Sequence, residues 1–172
     1  AKRRRFEKEN QIGTTRKGIG IATFLHGAGF TGSGERYLSS VVGVEGCADG
    51  NVRVLVSSTE FGQGTKTVLS QIAAEALGLP YECVSMAQPD TLEVPNSGPT
   101  VASRTAMVVG KLVHSAARGI AQTLISSNLL GENYSPEEFR AACSQYVDEH
   151  GPFHCWSRYE APSDIFWDDD KY

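Results

Sequence analysis

Val52-Arg-Val-Leu-Val-Ser-Ser-Thr-Glu-Phe-Gly-Gln-Gly-Thr65, running on through Lys66-Thr-Val-Leu-Ser-Gln-Ile-Ala-Ala-Glu-Ala-Leu-Gly-Leu-Pro80, changes its period midway. Val52, Val54 and Val56 recur at every second residue, the repeat of a strand with one buried face. From Thr65 the apolar positions step by three and four. Val68, Ile72 and Ala76, with Leu69 and Ala73 beside them, predict a helix to about Leu77. Gly78 suits the left-handed cap and Pro80 cannot continue the helix. The glycine-bearing turn Glu60 to Gly64 joins strand to helix.

Upstream, Leu38–Gly46 and Asn51–Ser57 are β-like runs, with Val42 and Val44 setting the period of the first. Asp49-Gly50 between them predicts a hairpin, because both residues tolerate positive φ. Ile19, Ile21, Thr23 and Leu25 alternate with small or polar residues and predict a further strand. The segment His26 to Gly34 breaks that pattern. Downstream, Cys83–Ala87 predicts a short strand. A long helix is expected from about Thr100 to Leu124, its small residues packing closely on a neighbour. Ser135-Pro-Glu-Glu138 opens a third helix to about Val147, with Ser135 and Glu138 as a capping box. The expected fold is therefore α+β, a hairpin-rich antiparallel or mixed sheet with two to three packed helices. The expected organisation is a charged arm or helix at 1–17, a domain at 18–150, and an aromatic tail at 151–172 packed on this or a neighbouring domain.

The 172 residues carry a net charge of −4, 40% hydrophobic and 21% charged residues, so the chain reads as ordinary globular material of one domain's size. The acidic balance argues against nucleic acid as a partner. No run of about 18 apolar residues occurs, so no membrane-spanning helix is expected and no membrane partner. The four cysteines, Cys47, Cys83, Cys143 and Cys155, are too scattered for a zinc site or an iron–sulfur cluster. They fit a reducing, cytoplasmic compartment. His26, His114, His150 and His154 read as surface or packed histidines, and Phe6, Trp156 and Trp167 as packing anchors.

Two helix entrances look alike: Glu60-Phe-Gly-Gln-Gly-Thr65 and Asn96-Ser-Gly-Pro-Thr-Val-Ala-Ser-Arg104. Backbone N–H groups at a helix start are unpaired and the dipole there favours an anion. Gln63 adds an amide, Ser103 a hydroxyl, and Arg104 a planar cation matched to phosphate. By residue chemistry alone two readings stand, simple capping turns or a site for a phosphate-bearing ligand. Neither turn is a P-loop, because no Gly-Lys-Ser/Thr follows. Gly27, Gly29 and Gly32 have dinucleotide-turn spacing, but polar residues follow rather than an apolar helix.

In order and spacing, Thr59-Glu-Phe-Gly-Gln-Gly-Thr65, Gln71-Ile-Ala-Ala-Glu-Ala-Leu-Gly-Leu-Pro80, Asp90-Thr91 and Gly98-Pro-Thr-Val-Ala-Ser-Arg104 resemble the molybdopterin-binding subunit of the xanthine dehydrogenase and aldehyde oxidase family over Gly18 to about Ile120. The resemblance implies a cofactor site of Gly62, Gln63, Gly64 and Thr65 with Thr100, Val101, Ala102, Ser103 and Arg104. Gln63 would hydrogen-bond the pterin. Val101 and Ala102 would offer amides, and Ser103 and Arg104 side-chain contacts near the phosphate arm. The implied cofactor is molybdenum-molybdopterin, in the plain or the cytosine dinucleotide form. It holds its metal through its own sulfurs, so no protein metal ligand is expected. The implied reaction is hydroxylation of an aldehyde or an N-heterocycle. Iron–sulfur and FAD groups are expected on other domains or subunits, and the rest of the molybdopterin-binding subunit as a partner.

The family's catalytic glutamate lies in a Gly-Glu-Pro-Pro-like motif that is missing here, and Glu60, Glu75 and Glu93 do not replace it by position. No catalytic residue is expected, and this segment alone is expected to be inactive, a fragment or split part of a larger enzyme. The alternatives are an assembly or scaffold domain that keeps the fold without the chemistry, and a nucleotide-phosphate binder using the same turns.

Overall fold

The computed structural model describes residues 1–24, 33–164, 167, 168, 170 and 171. The expected hairpin forms: β1 (Val41–Gly46) pairs antiparallel with β2 (Val52–Leu55), with Val44 opposite Val54. Gly50, at φ 76, closes the turn by donating to the Cys47 carbonyl at 3.0 Å. The glycine turn of Glu60–Gly64 then delivers the chain to α3 (Thr65–Leu77), with both bounds where the periodicity placed them. Gly78 is left-handed, at φ 65, and ends the helix. β3 (Val84–Met86) returns parallel to β2.

The long helix differs from expectation at its start. Residues 100–103 are not helical. One π-helical turn, Thr105–Val109, leads into α4 (Gly110–Ser126). A helix from Thr100 is impossible with Ala102 at φ 50 and Ser103 at φ 56, both in the left-handed region. Periodicity alone could not see this, because Ala102 and Ala106 keep the helical step. α5 (Pro136–His150) carries the expected capping box, with the Ser135 hydroxyl accepting from the Glu138 amide and Glu138 accepting from the Ser135 amide.

Part of the aromatic tail is a strand. β4 (Phe153–Arg158) pairs antiparallel with β1, so the sheet runs β3-β2-β1-β4 and is mixed. Its alternation places Phe153 and Cys155 on the core side and leaves Trp156 half exposed. By contrast, the predicted strand near Ile19 is absent. Residues 18–24 are exposed and irregular, and Leu25 with residues 26–32 lies outside the described part. Alternation makes a strand only where one face is covered, and Ile19 and Ile21 are both exposed. The N-terminal segment forms α1 (Lys2–Ile12), with no buried residue, and a short α2 (Gly34–Leu38) precedes β1.

One core joins these layers. Val42, Val44, Val52, Val54 and Val56 of the β1–β2 hairpin face Leu69, Ala73 and Leu77 of α3 and Val113, Ala117, Ile120 and Leu124 of α4, with Phe139 of α5 closing one end. Alanines on α3 and α4 let the two helices and the sheet approach closely. Among the described residues, no helix is long and apolar enough to cross a membrane.

Candidate functional site

The two entrances are about forty residues apart in sequence, yet two adjoining tethers stitch them together. The Ser57 amide donates to the Ser97 hydroxyl at 3.1 Å and the Ser97 amide to the Ser57 hydroxyl at 2.9 Å. Two residues on, the Thr59 amide donates to the Thr100 hydroxyl at 2.8 Å. Between them lies a cleft of about 380 Å³. Gln63, Gly64 and Thr65 line one side, and Thr100, Val101, Ala102 and Ser103 the other. Phe61, Val68, Leu69, Thr105 and Ala106 complete it. None of these lining side chains is ionisable. Val68, expected on the packed stripe of α3, instead faces the cleft, 37% exposed, because the buried stripe runs through Leu69, Ala73 and Leu77.

The first entrance is built by Glu60. One carboxylate oxygen accepts from the amides of Gly62 at 2.7 Å and Gly64 at 3.2 Å, and the other from the Lys66 amide at 3.0 Å. An anion of the chain itself therefore sits at the start of α3, in the place expected for a ligand's anion. The amides of Lys66, Gly62 and Gly64 hold the Glu60 carboxyl below the usual carboxylate range. Gln63 folds back into the turn. Its Nε2 donates to the Thr59 carbonyl at 2.8 Å and the Thr65 hydroxyl at 2.7 Å, and its Oε1 accepts from the Phe61 amide at 2.9 Å. Both Gln63 donors are thus engaged and only acceptor capacity is left for a ligand. At Gly64, φ 87, an added Cβ would meet no protein atom within 4 Å, so the backbone lies open to close approach.

The second entrance is built around Arg104, which is fully buried. Its Nε and Nη2 form a bidentate pair with Glu35 of α2 at 2.8 and 3.0 Å. Nη1 donates to the carbonyls of Ser97 at 3.1 Å and Pro99 at 2.9 Å, and Nη2 also donates to the Ser40 hydroxyl at 2.6 Å. These contacts use all five guanidinium N–H groups. The expected side-chain contact from Arg104 to a phosphate is therefore corrected, since the guanidinium has no donor left and no exposed surface. Gly98 makes room for it: at φ 75, an added Cβ would stand 2.9 Å from Nη1. What the loop presents outward is Val101, Ala102 and Ser103, all exposed. Among the described residues, no protein group accepts from the amides of Val101 or Ala102.

Of the nine residues read as a site, Gln63, Gly64, Thr65 and Thr100 to Ser103 meet in the cleft, while Gly62 and Arg104 shape it from behind. Glu60 and Glu35 were missed. Glu60 lies four residues before the N-cap Gly64, outside the positions that cap preferences cover. No local signal ties Glu35 to a residue 69 positions away. The described histidines stay clear of the cleft. His154 lies 3.2 Å from Glu45 and stacks on Trp156, and His114 and His150 are exposed. No metal-binding cluster occurs among the described residues, and the four cysteines are free thiols, with burial pushing Cys143 up to about 12.

The residues fit an anion-bearing organic ligand on one side only. The Val101 and Ala102 amides and the open backbone at Gly64 suit it, and the Glu60 carboxylate repels it from the start of α3. Comparison with known proteins shows the family. The model of the molybdopterin cofactor-binding domain matches residues 1–158. The chicken xanthine dehydrogenase/oxidase is 33% identical over 129 residues, covering 73% of this chain and 9% of that protein. The xanthine dehydrogenase molybdenum-binding subunit of Escherichia coli O157:H7 is 33% identical over 130 residues, covering 72% of this chain and 16% of that subunit. The aldehyde oxidoreductase from Desulfovibrio desulfuricans superimposes with a TM-score of 0.54 at 27% identity, over 80% of this chain and 14% of that one. A copper- and molybdenum-containing CO dehydrogenase shares the fold, with a TM-score of 0.60 at 20% identity over 73% of this chain and 19% of that one. The chain thus spans less than a fifth of each of these relatives. With a family model matching most of its length, it belongs to the molybdopterin cofactor-binding domain family of the molybdenum hydroxylases.

Proposed function

We propose that this chain supplies one wall of a molybdopterin cradle in an oxidoreductase that hydroxylates an aldehyde or an N-heterocycle. The observation that carries the reading is the shared cleft, where Gln63 to Thr65 face Thr100 to Ser103. In this reading the amides of Val101 and Ala102 and the Ser103 side chain hold the phosphate end. The Gly64 backbone and the remaining acceptor capacity of Gln63 border the pterin. The cofactor supplies the redox chemistry of oxygen insertion when bound. The residues of this chain bind and orient it, and Phe61, Val68 and Leu69 exclude water from one flank. With no ionisable side chain among the described residues that line the cleft, the general base comes from elsewhere in the enzyme, as do the rest of the cradle and the iron–sulfur and flavin partners. Arg104 makes no distinction between the plain and cytosine dinucleotide forms, because its donors are all occupied.

The test uses two near-isosteric changes at one exposed position. Asp and Asn both tolerate the left-handed conformation of residue 102. Ala102→Asp places a carboxylate beside the proposed phosphate amides, and Ala102→Asn does not. The expected result is at least a tenfold loss of bound molybdenum and pterin in the Asp variant of the complete enzyme, and retention in the Asn variant. Full occupancy in both sinks the reading. The absence of an ionisable side chain among the described lining residues also suits a second reading, a non-catalytic assembly domain, which predicts wild-type enzyme free of pterin and inactive on aldehydes and heterocycles.

A further inference from the structure

Ala102 and Ser103 are consecutive non-glycine residues with φ of 50 and 56, and both are exposed. Such residues are strained, and the strain persists only where surroundings over-determine it. The exposed Ala102 methyl supplies no such packing. A restraint comes from behind. The Arg104 guanidinium binds the carbonyls of Ser97 and Pro99, so both ends of the loop close on one group, and the Arg104 amide adds a bond to the Val101 carbonyl at 3.1 Å. Glu35 and the Ser40 hydroxyl fix that group to α2 and the start of β1. A buried ion pair is weak evidence for stability as such, and its best-attested use is conformational specificity.

We infer that Glu35, acting through Arg104, is a positioning residue of the ligand site: the buried pair holds Ala102 and Ser103 in the left-handed conformation that turns the loop's amides toward the cleft. This inference rests on the cofactor reading and adds a residue that touches neither cleft nor ligand. It places control of the loop on α2, directly after the segment 25–32.

The test is made on the complete enzyme as isolated. Glu35→Gln keeps the shape and removes the charge. Bound pterin, measured as its fluorescent oxidation product per polypeptide, falls at least fivefold, and trypsin cleaves after Arg104 in the cofactor-stripped variant where the stripped wild type resists. Adding Ala102→Gly, which makes the left-handed conformation free of strain at that residue, restores pterin to at least half of wild type while Arg104 remains cleavable. A merely structural role for the pair predicts no such rescue. Where Glu35→Gln does not fold, Ser40→Ala removes a single bond to the guanidinium, and a twofold fall with the same glycine rescue is expected. Folded Glu35→Gln or Ser40→Ala protein with wild-type pterin content overturns the inference, as does failure of the glycine rescue. Wild-type enzyme without pterin sinks the cofactor reading and this inference together. Wild-type enzyme with pterin and an indifferent Glu35→Gln variant sinks this inference alone.

Discussion

The two helix entrances that border the cleft look alike in sequence and are built with opposite charges. At Glu60–Lys66 a carboxylate gathers amides. At Ser97–Arg104 a guanidinium gathers carbonyls. The first arrangement satisfies the donors at the start of α3 and leaves them unavailable to an anion. The second satisfies acceptors and leaves the Val101 and Ala102 amides with no protein acceptor among the described residues. A glycine turn ahead of a helix thus says little about anion binding until the internal partners of the turn are known. In the proposed reading, the side of the cleft that takes the ligand's anion is the one whose buried group is the cation.

This contrast can be broken in order of expected effect. Arg104→Ala strands Glu35 and the Ser97 carbonyl in the interior and removes the bond to the Pro99 carbonyl. It is expected to cost about 3–5 kcal/mol in chemical denaturation, far more than any single change at the first entrance. Gly98→Ala comes next. Its Cβ would stand 2.8 Å from the Ser40 hydroxyl and 2.9 Å from the guanidinium, at φ 75. Overpacking and strain together predict a loss of about 2–4 kcal/mol. At Gly62, φ 107, the added Cβ meets open space, so Gly62→Ala carries the backbone cost alone, about 1–2 kcal/mol. Equal losses at the two glycines would show that the guanidinium does not crowd Gly98.

A smaller and pH-dependent effect is expected from Glu60→Gln. The folded carboxyl titrates lower than the unfolded one, so its contribution is complete above the ordinary carboxylate value of about 4.3 and is lost as pH falls through the lowered folded value. The stability gap between wild type and variant is widest near neutrality and closes in acid. A gap independent of pH would deny the carboxylate its role. The smallest effect, of opposite sign, belongs to Ala102→Gly. Relief of left-handed strain, partly offset by the flexibility of glycine, predicts a gain of about 0.5 kcal/mol. A loss of stability there would mean that the strain is not stored at Ala102.

The parts of the fold that could be read from the chain are those whose signals are local. The Asp49-Gly50 turn, the Gly78 cap and the Ser135–Glu138 box each act within a few residues and are all present. β4 lies in the aromatic tail, where its residues read as packing anchors, and only pairing with β1 makes it a strand. The residues near Ile19 show the converse, an alternation with no partner and no strand. The seven residues that meet in the cleft were legible as motifs. The task of Arg104 was not, because an arginine beside a helix start looks the same whether it faces a ligand or a carboxylate 69 residues away.

Amino-acid order alone settled the caps, the hairpin turn and the family, since these signals depend on neighbours along the chain. Charge compensation had to wait for the folded molecule. The energy of an ion is set by what surrounds it in space, and Glu35 and Arg104 acquired their roles only when segments 69 residues apart closed on each other, whereas Glu60 is held by amides within six residues of it.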